Sequence, residues 1–245
     1  MDGESNDQRL SRISTAWTVL QQAHEGSADA AAAARQLLVQ RYGGAVHRYL
    51  LAALRDRHAA DDLSQEFALS LVRGAFHKVE PCRGRFRDYV KTVLFRLVSD
   101  YRRREQKLAR PVANDLLLDV AAPEADDREF KESWRAELMA RAGEALAEAH
   151  PGHYAVLRFK TDHPDLRSHE LAELMSRQQG KSISAAGFRQ ALSRGREMFI
   201  NLVIHEVALS LQSPTREEIE QELAELNLLE QCKTALAKWP WPPLG

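Results

Sequence analysis

Apolar positions recur every three or four residues over most of the chain, and alternating runs of the kind that mark strands are absent. Ala, Leu, Arg and Glu, which favour helices, dominate the same stretches. The pattern predicts an all-α fold. Its clearest stripe comprises Phe86, Tyr89, Val90, Val93, Leu97, Val98 and Tyr101.

The helical pattern is interrupted between residues 107 and 127. Two prolines and a run of acidic residues there predict a flexible acidic linker. We therefore expect two small helical domains, at residues 11–106 and 128–211. A C-terminal helical extension follows at residues 212–245.

The extension opens with Thr215 and Glu218 at the spacing of a capping box, and it ends in WPWPPLG, which cannot be helical. Its apolar stripe is expected to pack on the second domain itself or on another protein. A further possibility left open is that its acidic face covers the basic residues of the second domain. The stripe comprises Ile219, Leu223, Leu226, Leu229 and Leu236.

The composition, 44% hydrophobic and 28% charged over 245 residues, is that of a globular protein. No apolar run is long enough to span a membrane, and the polar N-terminus is unlike a secretory signal. Cys82 and Cys232 lie far apart without CxxC spacing, which favours a reducing compartment. We expect a cytoplasmic protein with no membrane partner.

The net charge of −1 conceals alternating blocks of charge. Residues 83–110 carry ten Lys/Arg and three Asp/Glu, whereas residues 111–145 carry nine acids and four bases. Residues 217–230 carry six glutamates and no base. Such blocks suit a protein that offers a basic surface to a polyanion, although solvated helix faces explain the charge equally well.

Residues 168–199 are typical of a helix-turn-helix, in which the second helix enters the DNA major groove. A short helix to residue 177 precedes a polar turn at residues 178–181. Ser182 or Ser184 can cap the second helix. A plain pair of packed helices is the alternative. The second helix has Phe188, Leu192 and Phe199 on its inward face and Arg189, Gln190, Arg194 and Arg196 on its outward face.

Catalytic motifs are absent from the sequence. It contains no HExxH, no GxSxG and no glycine-rich phosphate loop, and His150, His153 and His163 fall beside turns. We therefore expect no enzyme, no cofactor and no metal site.

Two further motifs precede the helix-turn-helix: "HAADDLSQEFALSLV" and "GRFRDYVKTVLFRLVSDYRRR". Together the three motifs resemble those of a bacterial RNA polymerase sigma factor of the extracytoplasmic-function (ECF) type, in the sigma-70 superfamily. The family pattern AEDLxQExF matches at Asp62, Leu63, Gln65, Glu66 and Phe67. The pattern FxxWLxxIxxNxxxDxxRR matches at Phe86, Tyr89, Val90, Val93, Asp100 and Arg103, with Arg96 in place of the family's Asn.

The resemblance implies a role for each group of residues. The first motif, Asp62, Leu63, Gln65, Glu66 and Phe67, would bind core polymerase at the clamp helices of the β′ subunit. The basic residues that would bind the −10 promoter element are Arg83, Arg85, Lys91, Arg96 and Arg103. Those that would bind the −35 element are Ser184, Arg189, Gln190, Arg194 and Arg196.

The function so implied is promoter recognition and transcription initiation by a dissociable polymerase subunit. Its partners would be the β and β′ subunits of core RNA polymerase and promoter DNA, with an anti-sigma factor left open. The helix-turn-helix departs from the family at Ala191 and Gly195, and its turn is three or four residues longer. A stand-alone helix-turn-helix regulator is the alternative, although it gives the Asp62–Phe67 motif no use.

Overall fold

The computed structural model describes residues 16, 19, 23, 26–73, 85–109, 123–211 and 214–240. Regular structure within these residues is entirely helical, which confirms the all-α prediction. No helix among them is long and apolar enough to cross a membrane. The helices are α1 (Ala28–Leu54), α2 (Arg57–Arg73), α3 (Phe86–Ala109), α4 (Pro123–Ala149), α5 (Pro151–Asp162), α6 (Ser168–Gln179), α7 (Ala185–Leu209), α8 (Arg216–Glu225) and α9 (Leu229–Ala237).

The predicted linker is shorter than the sequence suggests. α3 continues through Ala109 and α4 begins at Pro123, so both ends of the 107–127 interval are helical. Proline is well tolerated in the first turn of a helix, where its missing N–H has no intrahelical partner. Residues 110–122 lie outside the described part of the chain.

The junction between α1 and α2 is two residues long. α1 ends where Arg55 takes a left-handed conformation (φ 56°) and donates its N–H to the Leu51 carbonyl at 2.9 Å. The Asp56 carboxylate then accepts from the N–H of His58 at 2.9 Å and of Ala59 at 3.3 Å. These bonds satisfy donors that the first turn of α2 would otherwise leave open. They fix the start of the helix that carries the Asp62–Phe67 motif.

Two compact units divide the chain. The first comprises Met1–Glu137, Ala208–Glu218 and Pro242–Gly245, and the second comprises Leu138–Val207 and Ile219–Trp241. The division differs from the predicted one, because the first half of α4 belongs to the first unit.

Aromatic side chains fill the core of the first unit. Tyr42 of α1 stacks on Trp134 of α4, with ring centroids 5.1 Å apart, and Tyr49 meets Phe130 edge-on at 5.6 Å. Phe86 of α3 lies 4.7 Å from the Tyr42 ring. Such pairs add to the stabilisation from burial itself. The first half of α4 therefore packs with α1 and α3.

The second unit has a mostly aliphatic core between α5, α6 and α7. Its buried residues are Val156, Leu171, Ala172, Met175, Phe188 and Leu192. The Arg141 guanidinium of α4 also donates two hydrogen bonds to the Glu206 carboxylate of α7, at 2.7 and 3.3 Å. This paired geometry attaches α4 to α7 within the unit.

The extension forms two helices rather than the one continuous stripe that the sequence predicts. The predicted capping box is present: the Thr215 N–H donates to the Glu218 carboxylate at 2.8 Å, and the Glu218 N–H donates to the Thr215 hydroxyl at 3.2 Å. α8 then stops because Asn227 is left-handed (φ 56°), and the Leu228 N–H donates to the Leu223 carbonyl at 2.8 Å. That is a Schellman C-cap.

The break between α8 and α9 changes which leucines are buried. Leu228 takes an inward position and Leu229 is only half-buried, contrary to the predicted stripe. The residues that the extension buries are Ile219, Glu222, Leu223, Leu226, Leu228, Cys232 and Leu236. Trp239 and Pro240 are non-helical, as predicted, and residues 241–245 lie outside the described part.

Candidate functional site

The Asp62–Phe67 motif serves two faces of α2. Asp62, Gln65 and Glu66 are exposed, whereas Leu63 and Phe67 are each only 3% exposed. Residues four apart lie on one side of a helix, so the two apolar residues anchor α2 to its own domain. Of the five predicted polymerase-binding residues, the structure therefore places three at the surface and two in the core.

The exposed face of α2 combines negative charge with an apolar side chain. Glu66 pairs with Arg104 of α3 at 3.8 Å, and Leu69, one turn further along, is 48% exposed. The pKa of the nearby Tyr101 phenol is raised, first by burial and then by the negative charges of Glu105, Asp56 and Asp62. The carboxylates of Glu105, Asp56 and Asp62 therefore lie close enough to act on this phenol. Such a face can bind a partner with basic groups beside an apolar one.

Lys91 of α3 is engaged within the first unit. Its ammonium group pairs with the Asp127 carboxylate of α4 and lies 5.4 Å from the centre of the Phe95 ring. Asp127 also pairs with Lys131 at 2.9 Å. Burial opposes ionisation of Asp127, but hydrogen bonds from the two lysines outweigh it and lower its pKa. The carboxylate therefore stays charged and holds Lys91.

The other predicted −10 residues are less uniform. Arg96 and Arg103 are exposed and lie two turns apart on one face of α3, and Arg103 is 3.4 Å from the Asp100 carboxylate. Arg85 is half-buried at the start of α3. Arg83 and the predicted DNA-binding loop at residues 77–84 lie outside the described part of the chain.

In the second unit, Ser184 caps α7, which decides between the two serines that the sequence offers. Its hydroxyl accepts from the Gly187 N–H at 3.0 Å. α6 runs to Gln179, two residues beyond its predicted end, and stops at left-handed Gly180 (φ 64°). The connection between the helices is therefore residues 180–184.

The outward face of α7 is as basic as predicted. Arg189, Gln190, Arg194 and Arg196 are exposed, together with Ser184. Phe188 and Leu192 are buried and Phe199 is half-buried, so the inward face is also as predicted. In the described ranges no ion pair engages the three arginines. Their guanidinium groups are available to phosphate or to base edges.

The extension does not cover these arginines in the described structure. Its glutamates form no ion pair there with Arg189, Arg194 or Arg196, whose side chains remain exposed. Its apolar residues are instead buried, and Ile219–Trp241 belongs to the second unit. From Ile219 onward, the extension therefore groups with the second unit.

Gly195, a departure from the family pattern, has a structural reason. A Cβ atom there would lie 3.2 Å from the His153 carbonyl oxygen and 3.3 Å from Leu157 Cγ of α5. Glycine therefore allows α5 and α7 to approach closely. The sequence signal was present, since a glycine inside a helix often marks a close contact.

A protein-family model matches part of the first unit. Residues 38–108, which span most of α1 together with α2 and α3, match the model for sigma-70 region 2. The chain therefore carries a sigma-70 region 2 domain. Searches of curated proteins and of solved structures gave no significant match.

This match confirms the resemblance to a sigma-70 family sigma factor, and the ECF type stays a prediction. Sigma-70 region 2 binds core RNA polymerase and promoter DNA in general, which supports a role in promoter recognition. Proteins of this family are transcription initiation factors without enzymatic activity, in agreement with the expectation from the motifs. The region covers the exposed face of α2 and the basic face of α3.

Proposed function

We propose that this chain is an ECF-type sigma factor that binds core RNA polymerase reversibly and directs it to promoters through two DNA-binding surfaces. The observation that carries the proposal is the sigma-70 region 2 match over residues 38–108. The exposed acidic face of α2 lies within that region and would be the surface that binds polymerase.

The first step is docking to core polymerase through Asp62, Gln65 and Glu66. Two carboxylates and an amide on adjacent turns can accept and donate hydrogen bonds to a basic helix of the β′ subunit. Leu63 and Phe67 contribute by holding α2 rigidly, since their side chains are buried. Rigid support keeps the polar groups ready to bind without further ordering.

The second step is binding of the −10 element by α3. Arg96 and Arg103 offer exposed guanidinium groups to the phosphate backbone. Lys91 would join them by exchanging the Asp127 carboxylate for a phosphate. Arg85, at the start of the helix, lies next to the loop that carries Arg83 in the sequence.

The third step is binding of the −35 element by α7. Its N-terminal turns would enter the major groove, as the second helix of a helix-turn-helix does. Arg189 and Gln190 lie in the second turn, where side chains can reach base edges. Arg194 and Arg196 lie further along and would bind phosphates. Ser184, at the helix start, brings backbone N–H groups towards the DNA.

Core binding by a triple variant tests the proposal. Changing Asp62, Gln65 and Glu66 to Ala should weaken binding to core polymerase at least tenfold with unchanged helicity, because exposed polar changes cost little stability. The matched control changes two acids and an amide that are exposed elsewhere: Glu144, Glu148 and Gln221.

Native-gel titration of core polymerase gives both affinities. Equal binding by the triple variant and the control would contradict the docking face. A chain that binds duplex DNA selectively but never binds core would favour the stand-alone regulator instead.

A further inference from the structure

Ser176, in the last turn of α6, is hydrogen-bonded to the segment that leads into α7. Its hydroxyl donates to the Ala172 carbonyl at 2.6 Å and accepts from the Ile183 N–H at 2.9 Å. The first bond is a common one: Ser64, Ser70 and Thr161 make it with the carbonyl four residues earlier. The second bond is different, because it spans residues 177–182 and reaches the residue that precedes the cap of α7.

The segment that this bond closes is exposed and polar. Residues 177–182 are all exposed, and Arg177 pairs with Glu173 of its own helix at 3.7 Å. The segment cannot hold the two helices in register by packing. Ile183, which follows the segment, packs against the buried cluster of the second unit. The Ser176–Ile183 bond and this contact therefore fix the point at which the chain returns.

Ile183 directly precedes the helix cap. Ser184 accepts from the Gly187 N–H at 3.0 Å, and the Phe188 N–H donates to the Ser184 carbonyl at 2.9 Å. Hydrogen bonds thus run without a break from the last turn of α6 into the first turn of α7. A shift at Ile183 would change the direction in which α7 starts, and Arg189 lies six residues further on.

We propose that Ser176 is a positioning residue for DNA recognition: its hydroxyl sets the orientation of α7 and so the placement of Arg189 and Gln190 at the base edges. The inference rests on the proposed function of α7. Binding constellations need placement within about 0.5 Å and 10–20°. Contacts to phosphates tolerate more movement than bidentate contacts to bases. Loss of the hydroxyl should therefore reduce selectivity more than overall DNA affinity.

The test uses the full chain and two DNA duplexes. One is selected from a random pool by the wild-type chain, and the other is a scrambled version of the same composition. Ser176→Ala should lower the affinity for the selected duplex about three- to tenfold, as expected for loss of one hydrogen bond. The affinity for the scrambled duplex should stay unchanged. α6 should persist, because Ala favours helices. Ser176→Thr, which keeps the hydroxyl, should restore selectivity.

Thr161→Ala is the matched control. In the same unit, it removes a hydrogen bond from a hydroxyl to the carbonyl four residues earlier. Unlike Ser176, the Thr161 hydroxyl accepts no hydrogen bond, among the described residues, from the segment between two helices. A purely structural role for Ser176 would lower the melting temperature and leave the ratio of the two affinities at the wild-type value. That result, or failure of Ser176→Thr to restore the ratio, would overturn the inference.

Arg189→Ala separates the inference from the proposal beneath it. If Arg189→Ala lowers the ratio and Ser176→Ala does not, only the role of Ser176 is overturned. If neither variant changes the ratio, α7 does not read the groove and the proposed function of this helix fails as well.

Discussion

The two units present their basic residues in different ways. In the sigma-70 region 2 domain, Lys91 is paired with Asp127 and Arg103 lies beside Asp100. In the second unit, the arginines of α7 are exposed, and no ion pair holds them within the described ranges. The cores differ too, since one is aromatic and the other mostly aliphatic.

The difference separates two kinds of DNA contact. A phosphate must displace a carboxylate before Lys91 can bind it, whereas the α7 arginines need displace only water and ions. Asp127 itself comes from α4, at the end of the predicted linker, so a segment outside the family match supplies the competing charge. Within the described residues, the proposed −10 surface therefore has a carboxylate that competes for Lys91, and the arginines of α7 have no such ion pair.

Removing residues 214–245 should have the largest effect, and most of it should fall on the second unit, to which Ile219–Trp241 belongs. Burying one large aliphatic side chain contributes about 1.5–3 kcal/mol, and the extension buries several. The sum is comparable to the whole stability of a domain. We expect the second unit to lose its cooperative thermal transition, as measured by circular dichroism. An unchanged transition with tighter duplex binding would instead mean that the extension masks α7.

The reactivity of Cys232 tests the packing of the extension in the intact chain. Burial raises the pKa of its thiol to about 11, so little thiolate exists at neutral pH. In a Cys82→Ser chain, alkylation should be slow at pH 7 and should accelerate as the pH approaches 11 or as the chain unfolds. Rapid labelling of the native chain at pH 7 would show that the extension is detached.

Trp134→Ala should have the next largest effect, on the first unit. The side chain is 1% exposed and stacks on Tyr42, and truncating a buried Trp costs about 3–5 kcal/mol. The exposed Glu132→Ala, half a turn away on α4, should stay within about 0.5 kcal/mol of wild type. Urea denaturation measures both. Equal stability of the two variants would mean that α4 does not belong to the region 2 core.

Arg189→Ala should weaken sequence discrimination and spare the fold. Loss of one bidentate base contact costs about 1–3 kcal/mol and relaxes preference at that position. The exposed Arg158→Ala on α5, which pairs with Asp162 at 3.3 Å, is the control for loss of one positive charge. Selection from a random duplex pool compares them. Unaltered stringency in the Arg189 variant would refute the groove assignment.

Asp127→Asn should give the smallest effect and tests the competitor directly. Without the carboxylate, Lys91 is available to phosphate, so DNA affinity should rise about two- to fivefold at low salt and less at high salt. Asp100→Asn, beside exposed Arg103, is the matched control and should have a smaller effect. Affinity that falls in the Asp127 variant would rule out competition.

The same variant has a signature in stability. The pKa of Asp127 is lowered in the folded chain, so its ion pairs stabilise the fold above the ordinary aspartate pKa. That contribution is lost as the pH falls through the lowered value. The stability of wild type and Asp127→Asn should therefore converge in acid, below about pH 4. Denaturation curves at pH 7 and at the acid end would reveal the convergence or its absence.

Local sequence rules predict much of the fold. Helical periodicity identifies the helices, and the Thr215–Glu218 spacing identifies a capping box that is present. The break at Asn227 is missed because asparagine is only an occasional C-cap, and the leucines on both sides continue the stripe. The register of α9, and hence the exchange of Leu229 for Leu228, follows from that break.

Long-range packing escapes such rules. Trp134 and Phe130 read as part of the second domain because the linker precedes them, yet their partners Tyr42 and Tyr49 lie about 80 to 90 residues earlier. The Asp127–Lys91 contact depends on the same packing. At the candidate site, the motif predicts which residues cluster on α2, and burial then separates Asp62, Gln65 and Glu66 from Leu63 and Phe67.

Transcription from a library of genomic fragments tests the central claim most directly. Core polymerase is incubated with or without the full chain, and run-off products are sequenced. If the chain is a sigma factor, transcripts should begin at discrete sites that share upstream and downstream elements. They should require the chain and disappear with the triple variant of Asp62, Gln65 and Glu66. Transcript starts that are identical with and without the chain would contradict a sigma factor.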